Sequence, residues 1–327
     1  MKKVTSMRTV LIINPTSGIS TVTTKAMTPE ETEEAILAAL GSYGIEPEVY
    51  HTTPEDTGQA LSTRAAADHA EVVIAAGGDG TIHAVAKGLI GTQSALGIIP
   101  TGTMNNLARS LSIPETVEAA CAVIAQGETR PIDVGEANGN TFFEVAGIGL
   151  EARLFPAGEE LKTPGLLSTL RGVIRGLGIL FTFRPPKLSI SFDEHRRRPY
   201  QAIQVTICNA PFYGPHFQVA SNVLMDDGLL DVVVYKNFSK LEFIRHGISI
   251  TQGRRVYQPK ITHRKVKSLR INTEQPIEVM VDGEIQGQTP AVVRAIPAAL
   301  GVRVPGVKAP GLHIEREEVG SSTKVQT

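Results

Sequence analysis

One stretch of the sequence, residues 72–86, constrains the fold more than any other. It begins with the apolar run Val72-Val73-Ile74-Ala75-Ala76, which is typical of a strand buried on both faces of a parallel sheet. The turn Gly77-Gly78-Asp79-Gly80-Thr81 follows, and a helical pattern continues to Ala86. Because glycines bring backbone N–H groups close to an anion and a helix N-terminus adds partial positive charge, this order predicts a phosphate-binding turn. A tight turn capped by Asp79 is the alternative.

Alternating strand and helix patterns surround this stretch. Strands are predicted at 8–13, 45–50 and 96–99, and helices at 28–40, 53–70 and 114–126. The first helix has the clearest start, because Thr28 and Glu31 form a capping box and Pro29 occupies the first position. The alternation predicts a doubly wound, Rossmann-like α/β domain over residues 1–132.

Short strand patterns replace the helices after residue 132. Asn138-Gly139-Asn140 between apolar runs is a strong hairpin signal. Further strand patterns lie at 188–192, 202–207, 230–235, 269–272 and 277–281. We therefore expect an antiparallel β-sandwich domain over residues 133–314. The polar tail, residues 315–327, is expected to be disordered.

The composition excludes several classes of protein. The formal net charge is -1, which argues against a nucleic-acid binder. The two cysteines, Cys121 and Cys208, lie far apart in apolar contexts, so a CxxC zinc site is excluded and a reduced, cytoplasmic protein is expected. The sequence has no apolar run long enough to predict a membrane span. If the substrate is a lipid, the protein must approach the bilayer from outside.

Two motifs carry a resemblance to a known family. Gly77-Gly78-Asp79-Gly80-Thr81 resembles the nucleotide signature shared by diacylglycerol, sphingosine, ceramide and NAD kinases and by phosphofructokinases. Leu96-Gly97-Ile98-Ile99-Pro100-Thr101-Gly102-Thr103-Met104-Asn105-Asn106-Leu107-Ala108-Arg109 resembles the second signature of bacterial diacylglycerol kinase-like lipid kinases, the diacylglycerol kinase catalytic-domain family. The similarity extends from Asn14-Pro15 to about Gly283-Glu284. One departure is Asn105-Asn106, where the family usually has Asn-Asp, so a carboxylate near the nucleotide is missing.

The resemblance implies an NAD kinase-like fold in which ATP lies over the glycine turn. Asp79 would contact a Mg²⁺ carried by the phosphates, or would help to deprotonate a hydroxyl. Hydroxyls and amides of the second turn would contact ribose, base or phosphates, although an ordinary strand–helix turn has the same pattern. The nucleotide-binding residues that we expect are Asn14, Pro15, Gly77, Gly78, Asp79, Gly80, Thr81, Thr103 and Asn105.

Two further acidic segments are candidate catalytic sites. Val281-Asp282-Gly283-Glu284 ends an apolar run, and the resemblance favours Asp282 as the general base with Glu284 as its neighbour in the site. A plain Asp-Gly hairpin turn is the alternative. The family pattern also places a functional acid at Asp133, close to Asp79, whereas the spacing alone favours a solvated turn residue.

The loop Met225-Asp226-Asp227-Gly228-Leu229 is a candidate metal site, because carboxylate oxygens and turn carbonyls suit a hard cation. The resembling bacterial enzymes hold a structural Mg²⁺ there through a side chain equivalent to Asp227. Leu224 and Leu229 complete the ligand set that the resemblance implies. A metal-free Asp-Gly turn that opens a strand is an equal alternative.

Two basic segments favour contact with an anionic membrane. Residues 161–183 mix apolar residues with Arg171 and Arg175, which share one helix face. Residues 251–273 have no acid and carry seven basic residues: Arg254, Arg255, Lys260, Arg264, Lys265, Lys267 and Arg270. Packing of the first segment on its own domain and a solvated strand face for the second are the alternatives.

Taken with the resemblance, these features predict an ATP- and Mg²⁺-dependent lipid kinase at the inner face of the membrane. The simplest reaction converts diacylglycerol to phosphatidate. A soluble NAD kinase-like enzyme is one alternative, although the Asn105-Asn106 and Asp227 segments match the lipid kinases better. A nucleotide-binding regulator without catalysis is another, which Asn106 keeps open. The sequence leaves the lipid and the oligomeric state, including a homodimer, undecided.

Overall fold

A parallel sheet forms the N-terminal half of the computed structural model, which describes residues 7–16, 28–154, 166–214, 220, 222–251 and 260–306. Its four strands run parallel in the order β2-β1-β3-β4. They are β1 (Thr9–Ile13), β2 (Glu48–His51), β3 (Val72–Gly77) and β4 (Ala95–Pro100). Every residue of β1, β3 and β4 is buried, as their continuous apolar patterns predict.

Five helices accompany this sheet: α1 (Pro29–Gly41), α2 (Gln59–Ala67), α3 (Asp79–Leu89), α4 (Asn106–Ser110) and α5 (Val117–Gln126). Helix α1 begins at the predicted capping box of Thr28 and Glu31. Helix α1 packs against α5, and α2 packs against α3. Because crossovers between parallel strands are almost always right-handed, the strand order places α1 on one face of the sheet and α2 and α3 on the other. The predicted doubly wound domain is confirmed.

Helix α2 begins later than the sequence predicts. We expected it to start at Thr53, but residues 52–58 form a loop and the helix begins at Gln59. The carboxylate of Asp56 accepts hydrogen bonds from the N–H groups of Gly58, Ala60 and Leu61 at 2.9–3.3 Å. It thereby caps a helix that starts three residues further on, and the loop is free to face the ligand-binding edge of the sheet.

Antiparallel strands form the C-terminal half. They are β5 (Glu128–Ala137), β6 (Asn140–Phe142), β7 (Val145–Gly149), β8 (Lys187–Phe192), β9 (Arg198–Cys208), β10 (Leu230–Lys236), β11 (Ile261–Val266), β12 (Ser268–Thr273), β13 (Glu278–Val281), β14 (Glu284–Gln288) and β15 (Ala291–Val304), with helices α6 (Leu166–Thr182) and α7 (Lys240–Thr251). One sheet has the order β14-β13-β7-β9-β10-β11, and the other runs β9-β8-β12-β15-β5-β6. Strand β9 belongs to both sheets. Apolar side chains from both pack into one core, so the predicted β-sandwich is confirmed.

The two halves share strands. Strand β15 pairs first with β12 and β5, and its far end pairs in parallel with β4 through Val302 and Leu96. The last strand of the sandwich therefore completes the N-terminal sheet. The boundary predicted at residues 132 and 133 falls inside β5, and the predicted tail at 315–327 lies outside the described residues.

None of the helices described in the structure is both long enough and apolar enough to cross a membrane. Of the predicted amphipathic segment at 161–183, residues 166–182 form α6, and residues 161–165 lie outside the described residues. Of the basic segment at 251–273, residues 252–259 lie outside the described residues, and Arg254 and Arg255 are among them.

Candidate active site

A cleft of about 780 Å³ lies where all four parallel strands end, which is the usual position of ligands in open α/β sheets. The segments that follow β1, β2, β3 and β4 each contribute to its wall, and Glu284 contributes from the sandwich. The lining residues are Asn14, Pro15, Thr16, Thr52, Thr53, Pro54, Thr57, Gly78, Gly80, Thr81, Thr101, Gly102, Thr103 and Glu284. The cleft thus brings together most of the predicted nucleotide-binding residues with one predicted catalytic carboxylate.

The two glycine turns touch each other at the base of the cleft. A Cβ atom added to Gly102 would lie 2.6 Å from the Cα of Gly78, so a side chain at Gly102 would clash with the backbone. A Cβ atom on Gly77 would meet the Thr81 side chain at the same distance. Helix α3 begins at this contact, and its first N–H groups have no partner inside the helix. The arrangement therefore offers backbone donors to an anion, as predicted.

Asn14 lies in the cleft wall, whereas Asn105 supports the second turn from beneath. The Asn14 Nδ2 donates to Thr81 Oγ1 at 3.1 Å, which ties the end of β1 to the glycine turn. Asn105 is buried, with φ 48°, and both of its side-chain polar atoms bind the backbone of Gly102 at 3.0 Å. The prediction that Asn105 contacts the nucleotide directly is therefore not supported by its position, because its amide is used to shape the turn.

Asp79 joins the two turns through its side chain. Its Oδ1 accepts a hydrogen bond of 2.8 Å from the N–H of Asn106, the first residue of α4. Gly77 and Asp79 are not among the residues that line the cleft, although Gly78, Gly80 and Thr81 are. The Oδ1 atom of Asn106 is buried and has no hydrogen-bond partner in the described part of the chain. The position where the family has a carboxylate is therefore a buried acceptor without a donor.

His83 and Glu144 form a buried ion pair beside Asp79, which the sequence did not predict. His83 Nε2 lies 3.0 Å from Glu144 Oε1, and His83 Nδ1 lies 3.8 Å from Asp282 Oδ2. Burial alone would lower the pKa of His83, but the hydrogen bond to Glu144 and the charges of Asp282, Glu144 and Asp79 raise it to about 9. Burial raises the pKa of Glu144 to about 7, although His83 opposes that shift. The pair connects α3 to the sandwich.

Ligand atoms of Asp79, His83 and Glu144 lie within 4.8 Å of one another, which is close enough to hold a metal ion. Without a metal, the hydrogen bond to Glu144 and the nearby carboxylates favour the protonated imidazolium, so a metal ion would have to displace that proton to bind here. In its metal-free form the group is an ion-pair cluster. His83 lies four residues after Asp79, on the same side of α3, and that spacing was the only signal in the sequence.

We expect protein stability to fall as the pH rises toward 10. The folded-state pKa of His83 is raised from 6.5 to about 9, so its stabilising contribution is complete below pH 6.5 and is lost as the pH rises through about 9. The raised pKa of Glu144 acts in the same direction at lower pH. Thermal unfolding should give a lower Tm at about pH 10 than at pH 7. A His83→Gln/Glu144→Gln variant should lack part of this decline, and an equal decline in both proteins would contradict the assignment.

The two carboxylates of the Asp282-Gly283-Glu284 turn have different surroundings. The largely buried Asp282 carboxylate accepts hydrogen bonds from three consecutive N–H groups, those of Phe143, Glu144 and Val145, at 2.7–3.0 Å. Glu284 is exposed and lines the cleft. The prediction that Asp282 is the general base stays a prediction, but the contacts favour Glu284 as the carboxylate that a substrate in the cleft would meet.

Comparison with known proteins follows the same division of the chain. Residues 8–137 match the model of the diacylglycerol kinase catalytic domain, and residues 145–304 match the YegS C-terminal NAD kinase beta sandwich-like domain. A diacylglycerol kinase of Bacillus subtilis (strain 168) is 30% identical over 304 residues, which are 91% of this chain and 97% of the relative. The chain belongs to the diacylglycerol kinase family.

Solved structures agree with this membership. A putative diacylglycerol kinase from Bacillus anthracis str. Sterne aligns with a TM-score of 0.72 at 25% identity, over 91% of this chain and 97% of that chain. An NAD kinase from Archaeoglobus fulgidus, solved in complex with ATP, aligns with a TM-score of 0.50 at 12% identity over 90% and 93% of the two chains, which shows the shared fold. The resemblance inferred from the glycine motifs is confirmed. This diacylglycerol kinase family member is a phosphotransferase with an alcohol group as acceptor.

Asp133 of this kinase family member connects β5 to the loop before β10 and to β15, and it does not line the cleft. It is buried, and its two carboxylate oxygens accept hydrogen bonds from the N–H groups of Gly228 at 2.6 Å and Ala298 at 2.8 Å. Its own N–H donates to the carbonyl of Met225 at 2.6 Å. The expectation that Asp133 acts beside Asp79 is therefore corrected, because both oxygens are used to fix the loop before β10 and the bend in β15.

An ion pair takes the place of the metal predicted at Asp227. The Lys265 ammonium lies 2.7 Å from Asp227 Oδ2 and 3.6 Å from the buried Asp231 Oδ2, and Leu229 N–H donates to Asp227 Oδ1 at 3.1 Å. Burial alone would lower the pKa of Lys265, but the hydrogen bond to Asp227 and the charge of Asp231 raise it. Leu224 is half exposed beside a separate small cavity. These residues do not fit the predicted structural Mg²⁺, because a lysine already neutralises the carboxylates.

We expect EDTA to leave the Tm of the protein unchanged, since Lys265 supplies the positive charge. Lys265→Met should lower the free energy of unfolding by about 1–3 kcal/mol, because it leaves the carboxylate of Asp231 buried beside Asp227 with one cation fewer. Lys267→Met removes the same charge two residues away and should have little effect. A lower Tm of the wild-type protein in EDTA would contradict this prediction and indicate that a metal ion binds in this loop.

Proposed function

We propose that this member of the diacylglycerol kinase family transfers the γ-phosphoryl group of ATP to a hydroxyl group of a membrane lipid. Diacylglycerol is the acceptor that the names of its relatives suggest. The observation that carries the proposal is the composition of the cleft. Two glycine turns with backbone donors form one wall, and the Glu284 carboxylate lies in the same cavity.

ATP fits this cleft in size and chemistry. A volume of about 780 Å³ lies within the range of ligand pockets, roughly 300–1,000 Å³. The phosphates would bind at Gly78, Gly80 and Thr81, where α3 begins, and at the second turn from Thr101 to Thr103. The loop from Thr52 to Thr57 offers hydroxyl groups to the ribose or the base. Asn14 holds Thr81 in position at the junction of these two regions.

Magnesium is expected to arrive with ATP, where it would neutralise charge on the phosphates during transfer. Oxygen atoms suited to this hard cation lie at the two turns. The Oδ2 atom of Asp79 accepts no hydrogen bond from the described residues. The Oδ1 atom of Asn106 is likewise a buried acceptor without a donor among them. We propose that Asp79 and Asn106 hold the ion, with Glu284 available from the opposite wall.

Glu284 is the residue that we propose as general base for the acceptor hydroxyl. It begins β14, and its Oε2 accepts a hydrogen bond of 2.9 Å from Gln286 Nε2, which orients the carboxylate. A base must lie within hydrogen-bond reach of the proton that it removes, and Glu284 is the sandwich residue in the cleft wall. Asp282, anchored on three amides, would fix the turn that presents Glu284.

Helix α6 is the surface that we propose meets the membrane. Ile174, Leu177 and Phe181 form a single stripe along it, and Phe181 is 82% exposed. Ile179, on another side of the helix, packs onto the sandwich. Arg171 is exposed beside the stripe. An apolar stripe flanked by basic residues suits the interface of an anionic bilayer, which would bring the lipid to the enzyme.

Replacing Leu177 and Phe181 with serine should weaken binding to vesicles at least about tenfold, because burying a large apolar side chain contributes roughly 1.5–3 kcal/mol. Activity on lipid in vesicles should fall in parallel, while activity on a short-chain soluble diacylglycerol should not. Tyr43→Ser, on an exposed residue of the other half, is the matched control. If the double variant sedimented with anionic vesicles as the wild-type protein does, α6 would not be the membrane-binding surface.

A transfer assay tests the function itself. The purified protein is incubated with γ-labelled ATP, Mg²⁺ and a panel of diacylglycerol, monoacylglycerol, sphingosine and ceramide in vesicles, with NAD in a separate reaction. Label in the organic phase with diacylglycerol supports the proposal, and label in another lipid changes the acceptor. Label on NAD would replace the proposal by the NAD kinase alternative. No transfer to any acceptor, with ATP still bound, would indicate a regulator.

A further inference from the structure

A second cavity, of about 300 Å³, lies in the sandwich, far from the glycine turns in sequence and formed by other residues. The turn from β8 to β9 forms one side, and the end of β11 forms the other. Its lining residues are Phe192, Asp193, His195, Arg196, Arg198, Arg264, Lys265 and Val266. None of them lines the ATP cleft, so the cavity has no role in the proposed transfer reaction.

Positive charge dominates this cavity. The guanidinium groups of Arg196, Arg198 and Arg264 have no carboxylate partner among the residues that the structure describes. The one acid in the wall, Asp193, uses Oδ1 to accept the N–H groups of Lys267 and Ser268 at 2.7 and 2.9 Å. Three unpaired guanidinium groups around one cavity repel one another, and an anion held between them would remove that cost.

The wall is held in shape before any ligand binds. The Arg264 guanidinium stacks over the Phe192 ring at 5.4 Å, which orients its N–H groups. His195 Nδ1 lies 3.0 Å from the carbonyl oxygen of Phe192 and 2.9 Å from that of Asp193. Both partners are acceptors, so Nδ1 is the donor and the ring closes the turn. Arg198 is fixed by the pairing of β9 with β8 opposite Ile190.

We propose that this cavity is a binding site for a phosphate monoester, presented either by a lipid headgroup or by a soluble phosphate. Arginine groups match the planar arrangement of phosphate oxygens in bidentate pairs, and several of them suit a dianion. A volume of about 300 Å³ corresponds to roughly ten water molecules, which is room for a phosphoryl group and its ester neighbour. The site does not depend on the proposed kinase reaction.

Three consecutive arginines supply a charge-matched test. Arg196 and Arg198 line the cavity, whereas Arg197, between them, does not. In extended chain, alternate side chains point to the same side, so the outer two share a face that Arg197 lacks. Arg196→Gln, Arg198→Gln and Arg197→Gln each remove one exposed positive charge from nearly the same place. Arg264→Gln tests the opposite wall from β11.

Calorimetric titration of the full-length protein would use inorganic phosphate, glycerol 3-phosphate, and phosphatidylcholine vesicles with and without phosphatidate. We expect saturable binding that Arg196→Gln, Arg198→Gln and Arg264→Gln weaken about tenfold or more, with Arg197→Gln close to wild type. Binding at the ATP cleft is common to all four variants, so the comparison isolates this cavity. A Tm close to wild type in each variant excludes misfolding as the cause.

The probes distinguish the two sources of the phosphate. Cavity-dependent binding of inorganic phosphate or glycerol 3-phosphate supports a soluble ligand, and cavity-dependent binding of phosphatidate vesicles alone supports a lipid headgroup. Equal weakening by Arg197→Gln and the lining variants would mean that only general charge attracts the anion, which overturns the site. Failure of every probe to bind saturably would overturn it as well.

Discussion

Replacing Glu284 with glutamine should reduce kcat by about 10²–10⁴-fold, the usual contribution of a general base, while ATP affinity stays near that of the wild-type protein. Glutamine keeps the shape and the hydrogen bond to Gln286 but cannot take a proton. The nucleotide would still meet both glycine turns, because those contacts come from the backbone on the other wall. Glu284 is exposed, so the folded structure should tolerate the change.

The measurement pairs turnover on diacylglycerol vesicles with calorimetric titration of ATP. Glu274→Gln is the control, since it removes the same charge from an exposed glutamate that does not line the cleft. Turnover of Glu284→Gln close to that of the control would assign the proton transfer to another group or to none. A parallel loss of ATP affinity would instead indicate that Glu284 acts mainly through the metal on the phosphates.

The fold of the nucleotide-binding half could be predicted from the sequence because the patterns that specify its strands, turns and helices are local. Buried parallel strands are continuous apolar runs, and the glycines at residues 77, 78, 80 and 102 lie at or just after the ends of two of them. The capping box that starts α1 is contained within four residues. What could not be predicted is the strand that completes this sheet. Strand β15 is about two hundred residues distant from β4, and no local pattern records that pairing.

The loop from Thr52 to Thr57 shows why one wall of the cleft was missed. Thr53, Pro54 and Glu55 carry the pattern of a helix start, so the sequence assigned them to α2. The Asp56 carboxylate caps the helix at a later residue, and the freed segment lines the cleft. Local propensity was ambiguous between two starting points. The chain enters the helix at Gly58, which has φ 123° and where an added Cβ atom would lie 2.8 Å from the Val85 side chain, so this position requires glycine.

The positions of side chains were harder to predict than the positions of motifs. Asp282 and Glu284 are two residues apart, which on a regular strand would place them on one face. Asp282 instead has φ 44° and Gly283 has φ 89°, so the chain turns between them. One carboxylate enters the protein and the other enters the cleft. Glu144, the buried partner of His83, was also not predictable from the sequence. Only the folded chain brings the residue before β7 beside α3.

Replacing Asp282 with asparagine should destabilise the protein by about 3 kcal/mol, since hydrogen bonds to a charged group contribute roughly 1.5–3 kcal/mol each and at least one of three would be lost. Asparagine offers one oxygen, so its NH₂ group must face an N–H group of Phe143, Glu144 or Val145. Asparagine also tolerates the left-handed conformation at φ 44°, so the loss would report on the carboxylate rather than on the backbone.

Thermal unfolding measures this effect, and 3 kcal/mol corresponds to a decrease in Tm of roughly 4 °C in a chain of 327 residues, because the unfolding entropy is about 2.1 cal/mol/K per residue. Turnover of the folded variant should fall less than that of Glu284→Gln, because Asp282 acts by fixing the turn that presents Glu284. The two variants should therefore differ in what they lose. Asp282→Asn should mainly lower stability, whereas Glu284→Gln should lower turnover at wild-type stability. If Asp282→Asn kept the wild-type Tm and lost turnover a hundredfold, Asp282 would be the base and the assignment of Glu284 would be wrong.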